Sequence, residues 1–346
     1  MNPKKEYSTL FKRIEKFALL IDNIFVQANK EAAKIVLSTN YDSSGTVTFN
    51  FSDYPETTAA LRELKKLVSS NVRKIIVNGI RASWDYSNGN LDKLVKDVLG
   101  RVAQDNKFRH YFDNNDKALE AFIKRKRKGL NLSNRVWNIT EDYISNLEDA
   151  VSVSLERGMS AAELSRSVRD YLVNPDKLFR RVRDNDKFRL SKRAKAYHPG
   201  AGVYRSSYKN AMRLARSEIN MSYRYAEYTR YQQLDFIVGF EVKRSGRVFD
   251  CSVCEVLAGK YPKDFKFTGW HPQCRCYVVP ILKTDDEIQK DNERIMQGKK
   301  VTSSSINRVK VVNYSFTEWL KTNAERIKKN KSKPYFIRDN KKYINV

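Results

Sequence analysis

Four cysteines and one histidine carry the most specific chemistry this chain offers. They fall as Cys251-Ser-Val-Cys254, then nineteen residues, then Cys274-Arg-Cys276, with His271-Pro-Gln just before Cys274. A Cys-x-x-Cys turn places two thiolates on one side of a tight loop, which suits two corners of a tetrahedral metal site. His271 and Cys274 repeat the two-residue gap and can fill the other corners, so Cys276 is a fifth candidate for four places. Either Cys251, Cys254, Cys274 and Cys276, or the set with His271 replacing Cys276, would close the shell around zinc and make the ion structural. In small zinc modules such ligation supplies on the order of 10 kcal/mol of folding free energy. A catalytic zinc would need an open position and a nearby base, for which Asp250 and Glu255 are the nominees. Without metal, the thiols would be buried as small hydrophobes or paired as disulfides. Cysteines clustered at short spacing fit a metal better than a secreted scaffold, whose bridges spread through the chain.

Elements must position that cluster, and the composition allows them. The chain has 346 residues, 41% of them hydrophobic, so two or three folded units are expected and wholesale disorder is not. Apolar runs such as Phe17–Leu20 are broken far short of the roughly 18 residues a membrane span needs, so no membrane partner is expected. The lysines and arginines near the N-terminus precede an apolar run, as in a signal peptide. Asp22 interrupts that run, however, and Leu10, Ile14, Phe17, Ile21, Ile24, Phe25 and Ala28 recur at helical spacing. An amphipathic first helix is the better reading.

A mainly α chain is expected beyond it. Asn40–Gly45 reads as a turn and Thr46–Phe51 as a short strand. A long helix follows from Pro55 through Ile80, and Ser87-Asn88-Gly89 reads as a turn separating it from another helix through Leu91, Leu94, Val95 and Val98. Helices are expected over about 116–128, 132–155 and 204–233. Ser160 with Glu163 forms a capping box, Asn174 and Pro175 stop the helix it starts, and 187–202 reads as a basic loop. Phe236–Val242 and Tyr277–Val279 read as strands flanking the cysteines, and Ser315 with Glu318 as a second capping box. The division that follows is a helical region over 1–115, a central region over 116–281 with a small β-containing Cys/His module near 236–281, and a C-terminal extension over 282–346.

Charge points to a partner. The chain carries 66 Lys and Arg against 40 Asp and Glu, a net +26, and such a field favours polyanions. Between Lys177 and Arg216 thirteen basic residues face two acidic ones, with Phe179, Phe188, Tyr197, Tyr204 and Tyr208 interleaved. Arg180, Arg181, Arg183, Lys192, Arg193 and Lys195 are the candidate contacts to double-stranded DNA. Those contacts would be non-specific and steeply salt-dependent. Solvated helix faces, or cations paired with an acidic protein, are the alternative. A second basic run, Lys124–Lys128, also suits the end of a helix.

The assembled motifs resemble the phage Mu protein F-like head morphogenesis family, the minor capsid or minor head proteins. The resemblance rests on Arg213-Leu-Ala-Arg216-Ser-Glu218-Ile-Asn220, on Gly239-Phe-Glu-Val, on Asp250-Cys251-Ser-Val-Cys254 and on His271-Pro-Gln-Cys274-Arg-Cys276. It covers about 132–281, and Ser217 stands where the family usually has Thr. It implies a virion component present in few copies, inside the head near the portal after assembly in the host cytoplasm. Portal protein, other head proteins and packaged DNA would be its partners, and it would not be an enzyme. Arg213, Arg216 and Glu218 are expected to form a buried ion-pair and hydrogen-bond brace. The alternatives are a metal-dependent nuclease acting on nucleic acid and an effector or toxin carrying such a domain. The chain has three histidines, His110, His198 and His271, which is little material for general-base chemistry.

Overall fold

The computed structural model describes residues 2–39, 51–155, 160–173, 180–184, 187–190, 204, 206–246, 251–330 and 333–344. Among them are eleven α-helices, a three-stranded antiparallel sheet and a two-stranded hairpin, the mainly α class expected, with the small sheet beside the cysteines. The helices are α1 (Pro3–Leu37), α2 (Pro55–Leu99), α3 (Asp116–Lys124), α4 (Leu132–Leu155), α5 (Ala161–Val173) and α6 (Ser207–Gln233), followed by α7 (Ser252–Val256), α8 (Asp285–Met296), α9 (Tyr314–Thr322), α10 (Ala324–Lys329) and α11 (Tyr335–Arg338). The hairpin pairs β1 (Arg180–Asp184) with β2 (Lys187–Leu190), and the sheet runs β4 (Gly259–Pro262), β3 (Ile237–Lys243), β5 (Tyr277–Leu282).

Two compact units interleave along the chain. The first comprises residues 1–14, 79–124 and 216–346, and the second residues 15–78 and 125–215, so each of the three sequence segments contributes to the first. In the second unit, Ile21, Phe25, Ala28, Ala32 and Val36 form the buried stripe of α1, and Leu61, Leu64, Val68, Val72 and Ile76 that of α2. Tyr143 of α4 is fully buried there, edge-on to Phe25 at 5.3 Å, and its hydroxyl donates to Asn29 at 2.9 Å. Ser160 and Glu163 form the expected capping box, with the Ser160 amide donating to Glu163 at 2.9 Å.

The first unit is built around α6 and the sheet. Central β3 pairs Phe240 with Tyr261 on one side and with Pro280 on the other. Strand β5 continues through Pro280 rather than ending before it. As an edge strand it is paired on one side only, where a residue lacking an N–H is tolerated.

Several expected boundaries differ. The proposed turn at Ser87-Asn88-Gly89 is the middle of a continuous 45-residue helix. Its polar residues serve tertiary structure: Asn88 donates to the Asn114 carbonyl at 3.2 Å and accepts from Arg230 at 3.2 Å, and Asn90 donates to the Tyr223 hydroxyl at 3.1 Å. Arg230, fully buried, also pairs with Asp92 on the same helix. Helix α3 stops at Lys124 because Lys128 and Gly129, both at positive φ, make a two-residue turn closed by the Arg127–Leu130 bridge. The basic stretch begins as a strand, since Lys187–Leu190 alternates polar with Phe188 and Leu190. Helix α9 is capped by Asn313, which accepts from the Ser315 amide at 3.2 Å, while Glu318 pairs with Lys321 instead of closing a box. Phe51 opens a 3-10 turn, Phe51–Asp53, rather than ending a strand. The readings at 40–50, Gly158, Asn174–Pro175 and 191–203 lie outside the described residues.

Gly89 tests the continuous helix directly. A Cβ there would meet nothing within 4 Å. Gly89→Ala is therefore expected to stabilise the protein by about 0.5–1 kcal/mol in thermal or urea unfolding, whereas a turn at positive φ would lose stability.

Candidate metal centre

The Cys-x-x-Cys pair is the start of a helix. Cys251 stands at the N-cap of α7 and Cys254 one turn later, so their thiols share a face. The second half is a tight turn in which the Cys274 amide donates to the His271 carbonyl at 3.1 Å, with Gln273 at φ 59°. Gly269, at φ 111°, lets this turn pack closely: a Cβ there would lie 3.1 Å from the Cβ of Cys274 and 3.3 Å from the Tyr335 hydroxyl.

All five predicted donors converge. The His271 Nε2 lies 3.1 Å from both the Cys251 and Cys254 sulfurs, and the Cys254 and Cys274 sulfurs are 3.8 Å apart. Two thiolates on one tetrahedral zinc, each at ~2.3 Å, would be about 3.8 Å apart. The donors form two triads, Cys251–Cys254–His271 and Cys254–Cys274–Cys276, each with its ligand atoms within 4.8 Å of one another. Cys254 belongs to both. All four cysteines are free thiols in this structure. The cluster can hold a metal ion.

Groups around the donors orient them. The His271 Nδ1 lies 2.8 Å from the Pro272 carbonyl, which holds Nδ1 as the N–H donor and turns the Nε2 lone pair toward the thiols. Hydrogen bonds from Cys254 and Cys276 hold the Cys274 thiol well below the usual range. The bond to Cys274, followed by that to Cys276 and by burial, pushes Cys254 up. Cys276 is raised as well, since Cys274 and burial outweigh the lowering by Cys254.

Helix α6 ties this loop down. Ser217 accepts from the Gln273 amide at 3.2 Å, Asn220 donates to the Cys274 carbonyl at 3.1 Å, and Arg224 donates to the Cys276 carbonyl at 3.2 Å. Arg224 is itself 2.7 Å from Glu227, and both are buried. Burial pushes the Glu227 carboxyl up despite that neighbour. The sequence nominates Arg213, Arg216 and Glu218 as the brace. Glu218 is fully buried and the two arginines are half-buried, with Arg213 in the second unit and the other two in the first. It missed Asn220 and Arg224 as ties. Their signal was the spacing of polar Ser217, Asn220 and Arg224 at i, i+3 and i+7, which is one helix face.

Aromatic rings back the loop. Trp270 lies 4.8 Å from Phe267 and 5.3 Å from Phe336, and Phe265 lies 5.3 Å from Phe316. Phe316 and Phe336 come from the C-terminal segment, which thereby completes the core of the module. Glu255, a nominee for a catalytic base, is exposed and 3.3 Å from Arg244. Asp250 lies outside the described residues. Of the candidate DNA contacts, Arg180, Arg181 and Arg183 lie on β1, and Lys192, Arg193 and Lys195 fall outside the described residues. No helix among the described residues is long and apolar enough to cross a membrane. Comparison with protein-family models, curated proteins and solved structures gives no match to this chain.

Two predictions follow from this geometry. Arg224→Met leaves Glu227 buried without its partner and is expected to cost about 3–5 kcal/mol in unfolding experiments, with much of the loss restored in Arg224→Met/Glu227→Leu. Cys254→Ser disrupts both triads and is expected to abolish stoichiometric metal on elemental analysis, whereas Cys276→Ser, which leaves Cys251, Cys254, His271 and Cys274, is expected to retain it. Equal loss in the two variants would place the ion on the four cysteines.

Proposed function

We propose that this chain is a non-enzymatic minor head protein of a phage, of the kind the resemblance to the Mu protein F-like family implies, with zinc as the structural ion of its Cys/His cluster. One observation carries the reading. The motifs behind the resemblance are far apart in sequence, yet Ser217 and Asn220 of the helix bond directly to the His271–Cys276 turn, and the Cys251–Cys254 pair faces that turn.

The donor set supports a holding role. Cys and His donors suit zinc, and five of them exceed the four a closed tetrahedral shell needs, which leaves no place for a substrate water. His271 is committed at both nitrogens, to the Pro272 carbonyl and to the thiols, so it is not free to act as a base. A net charge of +26 suits a protein packed beside DNA and bound to it non-specifically. Portal and other head proteins are the protein partners, inside the head near the portal, with the host cytoplasm as the place of assembly.

Purification without a histidine tag, together with the portal protein encoded by the same genome, tests the proposal. Expected are about one zinc per chain, capture of the portal, and duplex binding that falls steeply with salt. Plasmid nicking in divalent metal that is lost in His271→Ala would replace this reading with a nuclease.

A further inference from the structure

A cavity of about 750 Å³ opens in the first compact unit, and none of the five metal-donor residues lines it. Its floor is the Ile237–Val238 end of β3 and the Pro262–Asp264 turn, and its wall is the segment 301–310. That wall is pinned in place: the Val309 amide donates to the Val238 carbonyl at 3.2 Å, Arg308 donates to the Ser303 carbonyl, and Thr302 donates to Asp291 at 2.9 Å.

The cavity holds a surplus of positive charge. Lys263, Lys283, Arg308 and Lys310 line it, against Asp235 and Asp264. Lys283 is spent on buried Asp291, and Asp264 on Lys342 and Tyr343. Asp235 accepts from the Tyr111 hydroxyl at 3.0 Å. What remains is three cations, Lys263, Arg308 and Lys310, facing one carboxylate. Lys310 has no partner among the described residues, and the Lys263 ammonium bonds only to the Leu234 carbonyl, at 3.0 Å. The Ser303 and Ser304 side chains likewise have no hydrogen-bond partner among the described residues.

We infer that this cavity is a binding site for a phosphate-bearing small molecule of about nucleotide size. Cations with several N–H donors beside free hydroxyls match the oxygens of a phosphate ester, which accept charge-assisted hydrogen bonds. The volume far exceeds a bare phosphate and lies within the roughly 300–1,000 Å³ of organic-ligand sites. Ile237, Val238, Val309 and the Tyr343 ring supply apolar wall for the organic part. Burial first, and beyond it Lys283 and Arg308, bring the Lys263 ammonium down to about 8, against the pull of Asp235. A bound phosphate would offset that repulsion. Such a site requires neither the head-protein role nor the metal.

Calorimetry on the full chain at fixed ionic strength tests the site, with inorganic phosphate, a 5′-mononucleotide and a short oligonucleotide with or without a 5′-phosphate as probes. The mononucleotide is expected to bind saturably, one per chain, and more tightly than phosphate. Lys310→Gln, at an exposed position with no partner among the described residues, is expected to weaken it about tenfold without changing the melting temperature, and Lys263→Met to weaken it as well. Tighter binding of the 5′-phosphorylated oligonucleotide, abolished by the same variants, would assign the site to nucleic-acid ends. Preference for the mononucleotide would assign it to a free metabolite. Heat that does not saturate, or affinity unchanged in both variants, overturns the proposal.

Discussion

A loop without regular secondary structure can be buried only if its backbone polar groups find partners, because an unpaired buried carbonyl costs as much as a lost hydrogen bond. The His271–Cys276 turn meets that condition through α6. Asn220 and Arg224 reach the carbonyls of Cys274 and Cys276, and Ser217 takes the Gln273 amide. Arg224 can do this in a buried setting because Glu227 compensates its charge one turn along the same helix. The thiols are thus gathered by a helix that contributes none of them. Even the imidazole is aimed by its own neighbour, the Pro272 carbonyl.

Behind the turn, the aromatic rings convert this local tie into a unit. Trp270 and Phe265 meet Phe316 and Phe336, so the chain that follows β5 returns to cover the module. On the other side of α6, fully buried Arg230 joins Asp92 and Asn88 of α2. One helix therefore carries two buried arginines, one reaching the cysteine turn and one reaching a helix more than a hundred residues earlier. This accounts for a first compact unit assembled from three stretches of sequence rather than from one.

Periodicity made the helices legible. The stripes of α1, α2 and α4 bury residues their 3–4 spacing selects, because one apolar face against a core is a local property of the sequence. The five metal donors were legible for a similar reason, since short spacings keep thiols together whatever surrounds them. Tertiary use of polar residues was not legible. Ser87-Asn88-Gly89 has turn chemistry, yet Asn88 spends its amide on Asn114 and Arg230, which only the folded chain brings near. Asn220 and Arg224 look like ordinary solvent-facing residues until the carbonyls they serve are buried against them. Phe316 and Phe336 enter the core of the module from the C-terminal extension, and the spacing of a short apolar run does not say which partner it will meet.

The proton inventory of the cluster says what an ion would replace. Three thiols, Cys254, Cys274 and Cys276, act on one another, so that Cys274 is lowered while Cys254 and Cys276 are raised. A divalent cation makes the same arrangement unnecessary: it removes the protons, converts the sulfurs to thiolates and satisfies their charge at once. Binding at such a site is therefore coupled to proton release, and its strength rises with pH until the thiols are gone. Because Cys254 lies in both triads, the ion has one sulfur in common to either choice of partners, and the remaining donors decide only which side of that sulfur it occupies.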